Sequence, residues 1–337
     1  MSDFYDIEPT LENYWRAIIL FGRNVASYKF ALAKALYELK DNSNDLISIE
    51  RLAEPFSRHI CEHSRHSPKQ ITSQSCKFLD ACTQYNQGDL AKDELIETTR
   101  KLAFGDVIER FHTVNNEPIP KLFYIDERKT TGGIRITDNF FRLSESSQFM
   151  DFICETEARW RLVEEAWNTG LSRNLISIEY DKDLQMLFTN RKERRVNITS
   201  CRDSLNGYQK GRCFYCFQQI KIDVGEDITD VDHFFPWILH NEIPGINGIW
   251  NLVLACKECN RGRAGKFARV PSSNLLARLH KRNEYLISSH LPLRETLMRQ
   301  TGLDEGGRQS FLQRQYEIAK QSLIHVWQPK VQGVIIF

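Results

Sequence analysis

The chain of 337 residues has no apolar run long enough to cross a bilayer. Its longest runs, such as Ala17 to Phe21, fall far short of the roughly 20 residues a spanning helix needs. The opening residues, MSDFYDIEPT, lack both the basic start and the apolar stretch of a secretory signal, so a soluble, cytoplasmic protein without membrane partners is expected. An excess of charge is also missing. Lys and Arg total 45 against 44 Asp and Glu, for a formal charge of +1. That excludes a polycation binding nucleic acid over its whole surface, and any basic face must be local. There are no internal repeats and no low-complexity tracts. What is present is ordinary globular composition, 41% hydrophobic and 26% charged, in a chain long enough for two or three structural units.

Helical periodicity marks most of the first half. Leu11, Trp15, Ile18, Ile19, Val25, Tyr28, Leu32 and Leu36 recur at steps of three and four, which predicts one long helix over Leu11–Leu39. The same pattern predicts helices over Ser48–His63, Leu90–Phe111 and Glu155–Trp167, the last stopped by Thr169-Gly170. A Gly132-Gly133 turn between FYIDE and IRIT predicts a small hairpin within Leu122–Ile136. Residues 175–189, LISIEYD then LQMLFT, carry a second strand signal, and the basic stretch NRKERRVNITS after it is a sensible junction. Helices are expected again over Leu275–Leu286 and Phe311–Trp327, after a VPSS break that can also cap a helix.

Nine cysteines, an odd number in a chain without a signal, argue for reduced thiols rather than a disulfide framework. Four of them form two CxxC pairs, Cys213 and Cys216 in CFYC, Cys256 and Cys259 in CKEC, separated by the 39 residues Phe217 to Ala255. Each CxxC turn aims two sulfurs at one point, so the pairs can supply a tetrahedral Zn²⁺. Four thiolates leave no open position, which makes that zinc structural. A second histidine and cysteine cluster, RHICEHSRH with His59, Cys61, His63 and His66, is spaced poorly for one helical face and reads as a solvated, partly basic helix end.

Between the pairs lies DVDHFFPW, residues 230–237. Asp232-His233 is followed by Pro236, by a glycine-containing loop from Pro244 to Gly248, by Asn251-Leu252, and by CKEC running into Asn260. This order resembles the zinc-stapled branch of the HNH endonuclease family over about residues 200–270, and the likeness does not extend to the first 190. An α+β protein is expected: periodicity predicts a mainly helical N-terminal region with small β-hairpins (1–199) and a C-terminal helical extension (271–337), and the resemblance implies a ββα-metal nuclease module with a structural Cys₄ zinc (200–270) between them. It implies that His233 is the general base, that Asp232 and Asn260 hold one catalytic divalent cation, and that Asn251 braces the histidine loop or orients the imidazole. Where the family often ends in histidine this chain has Asn260, whose amide oxygen suits Mg²⁺ or Mn²⁺ better than a catalytic Zn²⁺ or Ni²⁺. Asp230, on the same strand face as Asp232, is expected behind the ligands or at the surface.

Local charge agrees with this division. Lys221–Gly245 has one basic residue against six acidic, and Trp250–Tyr285 has eight basic against two acidic. Lys257, Arg261, Arg263 and Lys266 are the expected contacts to a phosphate backbone, in a cluster completed by Arg269, Arg278, Lys281 and Arg282. Phe234, Phe235 and Trp237 are expected in a small core under the hairpin. The reading is a DNA endonuclease, suggestive by analogy of restriction or phage defence, whose helical region selects a target or recruits a partner protein or second protomer. Two other readings stay open: a zinc-stapled nucleic-acid-binding module without catalysis, and a nuclease directed at RNA.

Overall fold

The computed structural model describes residues 8–22, 25–40, 44–72, 76–168, 179–181, 186–191, 194–222, 229–289, 292–330 and 333. Helices dominate, the sheets have two or three strands, and the architecture is α+β. The chain forms two compact units, Met1–Trp160 and Arg161–Phe337, so the first boundary lies ahead of the basic stretch where the sequence suggested a junction.

The first unit opens with α1 (Leu11–Phe21) and α2 (Tyr28–Leu39), two helices where the periodicity predicts one. The break is at Gly22, where a Cβ would meet the Ile18 carbonyl oxygen at 2.4 Å. Carbonyls at the end of α1 are met by buried cations. Lys29 donates to Gly22 O (2.6 Å) and Ile18 O (3.3 Å), and Arg159 donates to Leu20 O (2.9 Å). Strand β1 (Leu46–Ser48) leads into α3 (Ile49–His66), capped by the Ser48 hydroxyl, which accepts from Arg51 N. Then follow α4 (Lys77–Gln87), α5 (Lys92–Leu102), α6 (Gly105–Arg110) and a two-residue ladder of β2 (Thr113–Val114) with β3 (Glu117–Pro118). The predicted hairpin is β4 (Tyr124–Glu127) and β5 (Gly133–Ile136), with β1 on its other edge. Gly132, at φ +76, belongs to the turn, whereas Gly133 is in the strand. There Ile47 O passes so close that a Cβ would meet it at 2.3 Å. Then come α7 (Asp138–Ser144) and α8 (Phe149–Asn168), and the expected Thr169-Gly170 stop lies outside the described residues.

Trp15 is the hub of the first core. It packs against Tyr37, Phe111, Phe123 and Phe140 and donates to the Tyr37 hydroxyl at 2.5 Å. The RHICEHSRH run is not solvated as expected. His59 and His63 are buried, because α3 turns that face toward α2 and α8, where carboxylates meet it. His59 Nε2 lies 2.6 Å from Glu38, and His63 stacks flat on Trp160 at 3.5 Å with Nε2 3.1 Å from Glu157.

The second unit contains a three-stranded antiparallel sheet, β6 (Glu179–Asp181), β7 (Met186–Arg191) and β8 (Arg194–Ser200). The part of LISIEYD before Glu179 is outside the described residues. The stretch read as a junction is β8 itself, since the β-branched Val196, Ile198 and Thr199 favour a strand once β7 offers a partner. Helix α9 (Cys201–Gln209) then leads into the first CxxC turn. The hairpin strands are β9 (Asp230–His233) and β10 (Leu252–Ala255), followed by the short α10 (Lys257–Arg261). Strand β11 (Val270–Pro271) precedes α11 (Ser273–Ser288), α12 (Pro292–Thr301) and α13 (Glu305–Ser322). Val326–Trp327, read from the sequence as the end of a helix, is strand β12 and pairs in parallel with β11. Trp327 donates to Ala264 O at 2.7 Å and sets its ring edge-on to Tyr215 at 5.1 Å.

Candidate functional site

The four paired cysteines converge. Their sulfurs all lie within 4.8 Å of one another, and Cys216 Sγ is 3.8 Å from Cys256 Sγ. A tetrahedral ZnS₄ centre with Zn–S of about 2.3 Å needs sulfurs about 3.8 Å apart, so the cluster could hold a structural zinc. The geometry is local. In the first turn Phe217 takes a left-handed φ of 61° and donates to Cys213 O, while Phe214 N donates to Leu254 O on β10. In the second, Cys256 caps α10 and its sulfur accepts from Cys259 N. Within the cluster the thiols share protons: hydrogen bonds from the Cys213, Cys216 and Cys259 thiols hold the Cys256 thiol far below its usual range, while burial raises Cys213 and the neighbouring thiols raise Cys259.

Strands β9 and β10 pair in register, Leu252 with His233 through Ala255 with Asp230. One end of β10 is fixed by Gln209, whose amide oxygen accepts from Leu254 N at 2.8 Å and whose nitrogen donates to Leu254 O at 2.8 Å. Alternation along β9 sends neighbouring side chains to different partners. Asp232 accepts from the Tyr215 hydroxyl at 2.6 Å and pairs with Lys266 Nζ at 3.3 Å. His233 Nε2 lies 2.8 Å from Asn247 Oδ1. With the Asn247 oxygen as acceptor, Nε2 carries the proton and Nδ1 the basic lone pair, an assignment that follows from the amide's orientation.

Asn251 is fully buried. Its oxygen accepts from Phe235 N (2.8 Å), and its nitrogen donates to Phe235 O (3.1 Å) and Ile246 O (2.9 Å). It thereby ties the segment after His233 to the loop that holds Asn247. The side chain that meets the imidazole is Asn247, which the sequence reading missed. The only signal was its place in the PGING loop, where any polar residue would look alike.

Asn260 lies near the end of α10, and its Nδ2 donates to Asp230 Oδ2 at 3.0 Å. Asp230 also pairs with Arg261 at 3.1 Å. Asp230, Asp232 and Asn260 are hard oxygen donors of the kind Mg²⁺ or Mn²⁺ accepts, and the Lys266 ammonium shows that a positive charge is stabilised at Asp232. A cation at Asp232 would compete with Lys266 for Oδ1, and Asn260, whose Nδ2 faces Asp230, would have to turn its amide to offer an oxygen.

Lys266 departs from its expected place on a nucleic-acid surface. It is 1% exposed, and its ammonium donates to His233 O (2.9 Å) and Phe267 O (3.3 Å) besides meeting Asp232. Burial lowers its pKa and the Asp232 charge opposes that shift, while burial raises the pKa of Tyr215, which stays protonated as a donor. Two more of the basic cluster are structural. Arg282 is buried against Ile249 O and Trp250 O, and Arg278 donates to Phe214 O and Tyr215 O while lying over the Phe217 ring at 4.0 Å. Arg261 and Arg263 are exposed and Lys257 is half-buried, so the exposed basic set is smaller than the charge count suggests. Phe234 and Phe235 form the core under the hairpin, but Trp237 is 39% exposed. Among the described residues, no helix is long and apolar enough to cross a membrane. No family model, no curated protein and no solved structure matches the chain.

Proposed function

We propose that the chain is a metal-dependent endonuclease of the HNH kind, with a ββα-metal module stapled by a Cys₄ zinc, that hydrolyses phosphodiester bonds of DNA. The observation that carries the reading is the placement of His233. Its imidazole is fixed by Asn247 beside the buried Asp232, on a hairpin anchored at the cysteine cluster. An imidazole titrates near working pH, and with Nε2–H donating to Asn247 its Nδ1 can take the proton of an attacking water. A divalent cation such as Mg²⁺ or Mn²⁺, held by Asp232 and Asn260, would supply charge to the scissile phosphate and to the leaving 3′-oxygen. Asp230 holds the Asn260 side chain in place, and Tyr215 and Lys266 hold Asp232. Arg261, Arg263 and Lys257 contact flanking phosphates. The products are 5′-phosphate and 3′-hydroxyl ends, and restriction or defence against phage is the role such an activity suggests, in a cytoplasmic protein.

One observation favours the reading of a zinc-stapled binding module without catalysis: both Asp232 oxygens already have protein partners. Supercoiled plasmid incubated with the zinc-loaded protein and Mg²⁺ or Mn²⁺ separates the two. Nicking or linearisation that chelation of the added ion abolishes, with ligatable 5′-phosphate ends, is the expected result. Plasmid that is bound and left intact across both ions would establish the binding module, and cleavage of RNA alone would move the substrate from DNA to RNA.

A further inference from the structure

Two exposed aromatic side chains border the candidate centre. Trp237 opens a 3₁₀ turn just after Pro236, is 39% exposed, and its ring lies 5.6 Å from that of His233. His240, also exposed, stacks on it at 5.1 Å with 12° between the ring planes, and its Nδ1 sits 3.2 Å from Trp237 O. Beyond Lys266, Phe267 is 53% exposed and its backbone is left-handed, φ 46°. That conformation is costly for a residue with a bulky side chain and persists only where the surroundings impose it. Here they do: Phe267 N donates to Asn260 O at 3.0 Å, and Phe267 O accepts from the Lys266 ammonium that also reaches His233 O and Asp232.

The residues that build the centre thus hold both rings, and burying Phe267 is not what the strained backbone achieves. Resting on the nuclease reading, we propose that Trp237 and Phe267 stack on the unpaired bases on either side of the scissile phosphate, so that the substrate is DNA that is single-stranded or opened at the point of cleavage. In paired duplex the base faces are stacked on one another and offer nothing to an aromatic ring. In a single strand they are available, and an aromatic platform beside exposed cations is how proteins hold one. Arg261 and Arg263 supply the cations, and their exposure next to Asn260 places positive charge where the backbone of such a strand would run. His240, lying nearly parallel to Trp237, takes one face of the ring and stiffens the platform, and Trp237 is still 39% exposed.

The test uses the zinc-loaded full chain with two readouts. In the first, binding to a labelled oligothymidylate and to a fully paired duplex is measured by anisotropy in the His233→Ala background. Adding Trp237→Ala or Phe267→Ala should weaken single-strand binding about tenfold, within the range a lost base stack gives, and leave duplex binding within about twofold. Trp237→Tyr should restore most of the loss. Equal losses on both substrates would overturn the proposal. In the second, an abasic site next to the cleaved bond should slow kcat/KM of the wild-type chain about tenfold but that of Trp237→Ala less than about twofold. An abasic penalty undiminished in the variant would also overturn it. A chain that cuts nothing would defeat the nuclease reading, while the binding arm would still decide whether the aromatic pair stacks on bases.

Discussion

Lys266→Met removes the ammonium and keeps the aliphatic stem, and it is expected to destabilise the second unit strongly. Lys266 is 1% and Asp232 7% exposed, with 3.3 Å between Nζ and Oδ1, so this is a buried pair and not a surface one. Removing one partner of such a pair costs about 3–5 kcal/mol because the other charge is left uncompensated. The carbonyls of His233 and Phe267 lose their donor as well. About 3 kcal/mol, the lower end of that range, is the expected loss. Urea unfolding followed by tryptophan fluorescence, at saturating zinc and pH 7, measures it. Lys266→Met combined with Asp232→Asn should recover most of the loss, giving a coupling of about 2 kcal/mol or more between the two sites. Millimolar Mg²⁺ or Mn²⁺ should stabilise Lys266→Met more than wild type, since the ammonium no longer competes at Oδ1. A single variant within about 0.5 kcal/mol of wild type would refute the idea that the ammonium holds Asp232.

Three further outcomes are expected. The purified chain should carry one zinc, measured by plasma mass spectrometry, and Cys256→Ser or strong chelation should release it and unfold the hairpin region as read by circular dichroism. Asn251→Leu removes three buried hydrogen bonds, leaving Phe235 N–H, Phe235 O and Ile246 O short of a partner. It should cost about 3 kcal/mol, and a midpoint equal to wild type would show those bonds to be idle. In the first unit, burial lowers the pKa of His112 to about 4, and its Nε2 accepts the Phe123 amide at 3.0 Å, so the folded ring is neutral. Unfolded histidine titrates near 6.5, so the unfolded chain takes up the proton first. Stability is therefore undiminished above about pH 6.5 and falls by about 3 kcal/mol as pH drops toward 4. His112→Gln should remove that slope from the urea midpoint against pH.

How much of this was legible in the sequence depends on how local each cause is. Helix α3 was readable because Ser48 caps it and its apolar residues keep one face. The cysteine convergence was readable because a CxxC turn fixes its own geometry. The break at Gly22 was not, because the apolar period runs through it and the reason for stopping is the approach of Lys29 and Arg159 from later helices. Strand β12 was hidden for the same reason: Val326 and Trp327 continue a helical pattern, and only β11, about 55 residues earlier in the chain, turns them into a strand. In the site, Asp232, His233 and Asn251 announced themselves by order and spacing. Lys266 and Asn247 did not. The first looks like any cation in a basic loop until its burial against Asp232 is seen, and the second acts through a hydrogen bond across 14 residues.

The central claim is that His233 takes the proton of the attacking water. The most direct measurement is the single-turnover rate of cleavage of one end-labelled DNA strand by wild type, His233→Ala and Asn247→Ala, each confirmed folded and zinc-loaded. The account predicts a loss of at least about 100-fold for His233→Ala, as expected for removal of a general base. It predicts a smaller loss for Asn247→Ala, because the imidazole remains and loses only the hydrogen bond that orients it. Cleavage by His233→Ala at the wild-type rate would contradict it.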